Sequence, residues 1–333
     1  MHNITYITTS LRATAVAHPM QALVKYHGLK DWELRIPYHD SISVNVEALN
    51  TTTTIEFGDF EQDVIIVDGR RLEGRAFERA LKVIDFIRKL SGVAGKVKVE
   101  SRNSIPTGRV KGVGFSSSAG AALAVAAYKA TGLDKELGWD LTLLSRIARR
   151  LAGSACRSVV GEYARWYAGG DDVSSYAERI ASKEDLDISM VLVPLYLDIT
   201  TEQAHAEAEK SAFFKARVES AQRRCDELEG IIKEGDFTAF GRLVELDSLE
   251  LHAVTMTGVE GMLLVNCDSL KIISLVRRMR KEEGVDCFFS MQTGPSVFIN
   301  TTREDSKYVV EQVKELGYEP IVSGIGGEAF VIQ

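Results

Sequence analysis

The chain has 333 residues, of which 45% are hydrophobic and 26% are charged, a composition typical of soluble globular proteins. Its formal net charge of -7 argues against a general nucleic-acid binder, which normally carries a basic surplus. No segment resembles a signal peptide or a transmembrane helix, so we expect a cytoplasmic protein with neither a membrane nor a nucleic-acid partner. The four cysteines are far apart and form no CxxC pair, which favours reduced thiols and no metal site.

Strand-like and helix-like patterns alternate along the chain, with no internal repeat and no low-complexity linker. Runs rich in Thr, Val and Ile predict strands, and apolar residues at helical spacing predict helices. In chain order the predicted elements are strands within 12–17, 41–56 and 64–68, helices at 74–91 and 141–151, a strand at 189–197, helices at 202–234 and 236–252, a strand at 262–266, a helix at 269–283, a strand region at 286–300 with a turn at Thr293–Gly294–Pro295, a helix at 304–316 and a final strand near Gln333. We predict an α+β fold of two closely packed lobes, with a boundary near 185–190.

The segment Gly112–Gly120, GVGFSSSAG, combines several features of a phosphate-binding loop. Its first two glycines, Gly112 and Gly114, allow a tight turn, and Ser116, Ser117 and Ser118 can donate hydrogen bonds to phosphate oxygens. A strand-like run, VKVESRN, precedes the loop, and a strongly helix-forming run, AALAVAAYKA, follows it. Because the N-terminus of a helix presents free N–H groups and the positive end of its dipole, the loop is expected to bind an anion. A plain solvated turn is the alternative interpretation.

Four motifs carry a resemblance that spans nearly the whole chain. They are HPMQALVKYHGLKDWELRIPYHDSISV, the serine loop, GSACRSVVGEYARW and FFSMQTGPSVFINTT, and they occur in this order. Together they resemble the mevalonate-pathway decarboxylases of the GHMP kinase superfamily, and most of all the archaeal phosphomevalonate decarboxylases. The resemblance implies a ribosomal S5 domain 2-like N-terminal lobe at 1–187, a ferredoxin-like C-terminal lobe at 188–333, and a homodimer.

The resemblance also implies roles for individual residues. Arg157 matches the arginine that holds the substrate carboxylate, and its planar fork suits that task better than a lysine would. Lys25 matches the active-site lysine near the departing phosphate. Tyr26, His27 and Ser154 match positions around the 5-phosphate, although a structural role is the alternative for His27.

Two positions bear on the substrate. Leu29 stands where diphosphate-specific relatives carry a second lysine, and the missing cation favours a 5-monophosphate. Gln292 stands where the phosphorylating decarboxylases carry an aspartate, and an amide cannot act as a general base near neutral pH.

The approach to the serine loop also differs from the family pattern, because it is longer and more basic. Arg109 and Lys111 belong to this approach, and these two cations supplement nucleotide binding, hold a phosphate already on the substrate, or are solvated. Asn103, which ends the preceding strand-like run, is predicted to belong with the phosphate- or nucleotide-binding loop.

Gln292 and the longer, more basic approach to the serine loop both favour an enzyme that has lost the kinase half-reaction. The preferred function is therefore ATP-independent decarboxylation of (R)-mevalonate 3,5-bisphosphate to isopentenyl phosphate, with no cofactor required. The close alternative is a phosphomevalonate or diphosphomevalonate decarboxylase that uses ATP and Mg²⁺. A mevalonate 3-kinase and a non-catalytic binding protein on the same scaffold are the further alternatives. The sequence around Arg157 weighs against the kinase, and the matches at Lys25 and Arg157 weigh against the binding protein.

Overall fold

The computed structural model describes residues 11–105 and 112–333, and more of these residues lie in helices than in strands. The strands are β1 (Arg12–Ala17), β2 (Met20–Val24), β3 (Ser41–Asn45), β4 (Thr51–Gly58), β5 (Val64–Val67), β6 (Arg70–Arg71), β7 (Lys96–Asn103), β8 (Tyr163–Tyr167), β9 (Tyr176–Ala181), β10 (Ser189–Val193), β11 (Cys287–Met291), β12 (Val297–Thr301), β13 (Ile321–Ser323) and β14 (Phe330–Val331). The helices are α1 (Gly74–Ser91), α2 (Phe115–Ala130), α3 (Leu133–Glu136), α4 (Leu141–Arg149), α5 (Ala155–Val160), α6 (Thr201–Ala208), α7 (Phe214–Glu234), α8 (Phe237–Met256), α9 (Cys267–Glu282) and α10 (Ser306–Glu315). The predicted α+β class is confirmed.

The strands of the described residues form three sheets. The first has the order β14-β1-β4-β7-β5-β6, the second β2-β3-β8-β9 and the third β11-β12-β10-β13. β4, with the sequence TTTTIEFG, shows why the first sheet forms: β-branched residues favour a strand, and the residues at alternate positions are buried against the helices. Apart from β14, the strands of the first two sheets belong to the N-terminal part of the chain, and the third sheet belongs to the C-terminal part.

Helix α2 fixes the position of the glycine- and serine-rich loop. Almost every side chain of this alanine-rich helix is buried, as expected of a helix that is apolar all round. It packs against β1, β4, α4 and α5, so its N-terminus lies deep between the first two sheets. Gly114, with φ of 85°, precedes it, and a Cβ there would lie 2.7 Å from the carbonyl oxygen of Met20. Only glycine therefore allows this turn to approach β2 so closely.

The two lobes share structure across the predicted boundary. One hydrophobic cluster combines side chains of β2 and β3, such as Leu23 and Ile42, with Phe240 of α8 and Phe298 of β12. In addition, β14 near the C-terminus pairs with β1, so the end of the chain returns to the first sheet.

Three element predictions need correction. The segment 262–266 is not a strand; just before it, the N–H groups of Glu260 and Gly261 donate to the carboxylate of Glu207. The helix predicted at 202–234 is two helices, α6 and α7. The strand predicted at 189–197 ends at Val193, because Pro194 cannot donate to a ladder. Among the described residues, no helix is both long enough and apolar enough to cross a membrane.

Candidate active site

A cavity of about 410 Å³ lies where β2, α2, α5 and the loop after β11 meet. Its polar end is bordered by Lys25, Tyr26, Ser154, Arg157, His205 and Gln292. A second, apolar lobe is bordered by side chains of β5, β7, α1 and α2 and by Leu72, which follows β6; it includes Ile65, Val67, Val99 and Leu123. The turn from Gly112 to Gly114 borders the cavity as well. The volume lies within the range of small-molecule sites.

Arg157 carries a charge that the protein itself does not neutralise. The residue is fully buried in α5, and none of its three guanidinium nitrogens has a hydrogen-bond partner within residues 11–105 and 112–333. The faces of Tyr26 and Trp166 lie 5.8 and 5.9 Å from its guanidinium carbon, and burial lowers the pKa of the guanidinium below its ordinary value. A buried unpaired charge is costly, so this side chain is suited to an anionic ligand.

Lys25 follows directly after β2 and is held by a buried ion network. Its backbone N–H donates to Asp247 Oδ2 at 3.0 Å, and its Nζ lies 3.6 Å from the same oxygen. Arg217 pairs with Asp247 at 2.7 Å and donates to the Lys25 carbonyl oxygen at 2.8 Å. Burial lowers the pKa of Lys25 to about 8, against the opposing charge of Asp247. Asp247 is shared with Arg217 and also lies 3.8 Å from Arg224, so Lys25 keeps charge to offer a substrate.

Tyr26 and Ser154 both border the cavity, whereas His27 lies behind it. The Tyr26 ring meets Trp166 edge-on at 4.9 Å, and a Cβ at Gly153 would lie 2.7 Å from the Tyr26 hydroxyl, so a larger residue there would displace Tyr26. His27 Nε2 lies 3.2 Å from Thr293 Oγ1, and Thr293 borders the cavity. The contact of His27 with the site is therefore indirect.

The serine loop presents one hydroxyl to the cavity rather than three. Ser116 is exposed and borders the cavity, but Ser117 and Ser118 are fully buried beneath the loop. Ser117 Oγ donates to Gly114 O at 2.6 Å, and Ser118 Oγ lies 2.6 Å from Thr51 Oγ1. Ser118 Oγ also donates to Phe115 O at 3.1 Å, so each of the two hydroxyls bonds the carbonyl oxygen three residues earlier, as serines at the start of a helix can do.

Asn103 also borders the cavity, but its side chain is already engaged. Its Nδ2 donates to Asp68 at 2.9 Å, and its Oδ1 accepts from Thr51 at 2.7 Å. Arg109 and Lys111, which the sequence places in the approach to the loop, lie outside the described residues.

Gln292 braces the loop against β2. Its Nε2 donates to Met20 O at 3.1 Å and to Gly112 O at 3.3 Å. Met20 N–H in turn donates to Ser117 Oγ at 3.3 Å, so the backbone N–H and the carbonyl oxygen of Met20 both help to hold the loop. A carboxylate at this position has no hydrogen to donate and would face two carbonyl oxygens. Gln292 therefore has a structural role that the sequence does not reveal.

Three further residues belong to the site but are not predicted from the sequence. Arg79 borders the cavity from α1, and its Nε donates to Leu151 O at 2.8 Å. His205 borders it from α6, and Asp247 of α8 anchors Lys25. The helical pattern around each of these residues looks ordinary, and only the distant partners in the chain identify them.

The comparisons with known proteins agree with this geometry. Residues 17–177 match the diphosphomevalonate decarboxylase-like N-terminal domain, and residues 200–321 match the mevalonate 5-diphosphate decarboxylase C-terminal domain. The phosphomevalonate decarboxylase of Haloferax volcanii is 43% identical over 97% of this chain and 98% of its own length. The mevalonate diphosphate decarboxylase of Staphylococcus aureus superposes with a TM-score of 0.89 at 29% identity, covering 97% of this chain and 98% of its own. A structure of MDDEF in complex with MVAPP, AMPPCP and magnesium also gives 0.89, at 27% identity, over 97% and 99%.

The fold is thus the two-lobed α+β fold of the GHMP-type mevalonate diphosphate decarboxylases. The chain belongs to the diphosphomevalonate decarboxylase-like family. It is a carboxy-lyase of the mevalonate pathway that acts on a phosphorylated mevalonate. The resemblance inferred from the four sequence motifs is confirmed.

We expect the unpaired guanidinium of Arg157 to lower the stability of the free protein. In Arg157→Met the free energy of unfolding, measured by urea denaturation, should stay the same or rise by as much as ~2 kcal/mol, because the methionine removes an uncompensated buried charge. The matched control is Arg149→Met, since Arg149 is equally buried but pairs with Asp172 at 2.6 Å. That variant should lose about 1–3 kcal/mol. An equal loss in both variants would show that Arg157 is satisfied by the protein.

We expect Gln292→Glu to loosen the serine loop while preserving side-chain size. The carboxylate would lose both donated hydrogen bonds and repel the two carbonyl oxygens, so amide hydrogen exchange at Gly112–Ser116 should accelerate about tenfold or more. The control, Gln312→Glu on α10, makes the same chemical change far from the loop. Unchanged exchange in Gln292→Glu would exclude the brace.

Proposed function

We propose that the enzyme converts (R)-5-phosphomevalonate to isopentenyl phosphate and CO2, with ATP as the phosphoryl donor. The observation that carries this proposal is the continuity of the cavity. A single space joins the Arg157 and Lys25 end to the apolar lobe, past the Gly112–Gly114 turn at the start of α2. The name of the Haloferax volcanii relative, phosphomevalonate decarboxylase, supports the same substrate.

The lobe beside β5 and β7 suits a nucleotide. Its walls are apolar, as the flat face of a base requires, and Ser101 and Asn103 place polar groups among them. The turn before α2 would hold phosphates through backbone N–H groups and Ser116, aided by the helix dipole. When bound, ATP with Mg²⁺ would supply the phosphoryl group that turns the 3-hydroxyl of the substrate into a leaving group. The hydroxyl proton would pass to water or to a phosphate oxygen, because Gln292 cannot accept it.

The polar end then stabilises the charges of the elimination. Loss of the 3-phosphate leaves positive character on the tertiary carbon, and the electron pair of the bond to the carboxylate forms the new double bond as CO2 departs. Arg157 grips the carboxylate with its planar fork, and Lys25 offsets the charge of the departing phosphate. Burial strengthens both interactions, because little water competes inside the cavity.

The preference for a monophosphate is supported by Leu29. The residue is buried, and its N–H donates to Glu209 Oε1 at 2.8 Å. This position therefore offers a packed apolar side chain where diphosphate-specific relatives are expected to offer a second lysine. A further phosphate would enter without a matching cation.

The second candidate is the ATP-independent decarboxylation of (R)-mevalonate 3,5-bisphosphate, which the sequence favours. Gln292 supports it, because an amide tied to two carbonyl oxygens cannot accept a proton from the 3-hydroxyl. In that reaction the substrate brings its own 3-phosphate, and Arg157 and Lys25 keep the same roles. The cytoplasmic location and the homodimer stay predictions from the family resemblance.

Incubation of the pure protein with each phosphorylated mevalonate, with and without ATP, separates the candidates. We expect CO2, ADP and inorganic phosphate in equal amounts from 5-phosphomevalonate only when ATP is present, and at least about tenfold lower kcat/KM with 5-diphosphomevalonate. CO2 release from the 3,5-bisphosphate without ATP, together with no turnover of 5-phosphomevalonate, would replace the first candidate by the second. A stable phosphorylated product without CO2 would identify a kinase.

The pH dependence of kcat/KM should report the charge of Lys25. Its lowered pKa of about 8 means that the ammonium is present below that pH and is lost above it. We therefore expect kcat/KM to fall as the pH rises through about 8. In Lys25→Arg, which stays charged, the fall should move to higher pH, whereas Lys25→Met should be slow at every pH. An identical falling limb in Lys25→Arg would assign it to another group.

A further inference from the structure

His205 lies at the polar end of the cavity and contacts two of the residues around the expected 5-phosphate position. It belongs to α6, is 3% exposed and borders the cavity. Its ring stacks on Tyr26 with centroids 4.9 Å apart and an interplanar angle of 18°. Its edge meets His27 at 5.2 Å. These contacts fix the plane of the imidazole. The role of the ring therefore depends on which of its two nitrogens carries the hydrogen.

The backbone of Gly28 fixes the tautomer of His205. The Gly28 N–H donates to His205 Nδ1 at 3.2 Å, so Nδ1 must present a lone pair and the ring hydrogen must sit on Nε2. Nε2 has no hydrogen-bond partner in the described ranges, 11–105 and 112–333, and it is not sealed from the cavity. A donor of fixed direction is therefore available to a ligand.

Gly28 can make this contact only as glycine. Its φ is 77°, in the left-handed region, and a Cβ there would lie 2.7 Å from the ring of Phe214. The next N–H, that of Leu29, donates to Glu209 one turn further along the chain from His205. Two successive N–H groups therefore bind the C-terminal part of α6 to the segment after β2.

The charges around the ring keep it neutral. Burial lowers the pKa of His205 to about 3, and the nearby guanidinium groups of Arg35 and Arg79 lower it further, against the opposing carboxylate of Glu202. Glu202 is itself shared, since it pairs with Arg35 at 2.9 Å and with Arg75 at 2.9 Å. A protonated ring would also place a hydrogen on Nδ1 against the Gly28 N–H.

We propose that His205 is a substrate-binding residue that donates a neutral hydrogen bond from Nε2 to the phosphate at the Tyr26 and Ser154 end of the cavity. This inference rests on the proposed function for the identity of that phosphate. A neutral donor orients the phosphate oxygens without adding a positive charge. It therefore contributes to the preference for one phosphate over two, alongside Leu29.

Two variants of nearly equal size separate this role from a structural one. His205→Asn keeps an acceptor near the place of Nδ1 for Gly28 but has no donor at the place of Nε2. His205→Gln keeps a donor near Nε2 but loses the Gly28 contact. If the donor matters, Asn should weaken binding of 5-phosphomevalonate about tenfold and Gln should weaken it by about threefold or less, measured by calorimetry. The reverse order would overturn the proposal.

A second ligand shows whether the phosphate is the partner. (R)-Mevalonate lacks the 5-phosphate, so His205→Asn should leave its affinity unchanged when measured by competition. An equal loss for both ligands would overturn the proposal. Side-chain ¹⁵N resonances of His205 in the wild-type protein should show a protonated Nε2 from pH 6 to 8, and a hydrogen on Nδ1 would also overturn it.

The same data distinguish this inference from the proposed function. If the protein binds 5-phosphomevalonate with the expected order of the two variants but does not decarboxylate it, the proposed function fails and the role of His205 stands. If it binds none of the phosphorylated mevalonates, both fail.

Discussion

The unpaired guanidinium of Arg157 imposes the condition that the rest of the site satisfies. Other buried arginines of the described chain have carboxylate partners, such as Arg149 with Asp172 and Arg217 with Asp247. Arg157 has only the faces of Tyr26 and Trp166, which stabilise a cation without neutralising it. The fold tolerates this charge because it lies beside a cavity that an anion or water can enter. A carboxylate that binds there exchanges weak aromatic contacts for a charge-assisted pair.

Lys25 shows how the two lobes make one site. The residue follows a strand of the second sheet, but Asp247 and Arg217, which hold it, belong to α8 and α7 in the C-terminal part. The Gln292 brace acts in the same way, since it joins the loop after β11 to the glycine turn before α2. The geometry of the candidate site therefore depends on the packing between the lobes, and the shared hydrophobic cluster keeps that packing fixed.

Sequence analysis predicts the features that depend on residues close together in the chain and misses those that depend on residues far apart. The turn at Gly112–Gly114 and the helix after it are local features, so glycine chemistry and helix propensity predict them well. The burial of Ser117 and Ser118 depends on Met20 and Thr51, which are distant in sequence, and no local pattern reveals it. His205 is hidden for the same reason, because its partner Gly28 is 177 positions away. The resemblance identifies Lys25 and Arg157 as site residues, and the fold brings both to one cavity.

The distribution of charge around the cavity explains why neutral polar residues occupy two of its positions. The proposed monophosphate substrate would carry a carboxylate and a phosphate of about -1.5 to -2. Lys25, Arg157 and Arg79 border the cavity, and the carboxylates near them, Asp247 and Glu202, are shared with arginines behind them. These cations approximately match the charge of the substrate. Gln292 and His205 are neutral, so they would direct hydrogen bonds without changing that balance.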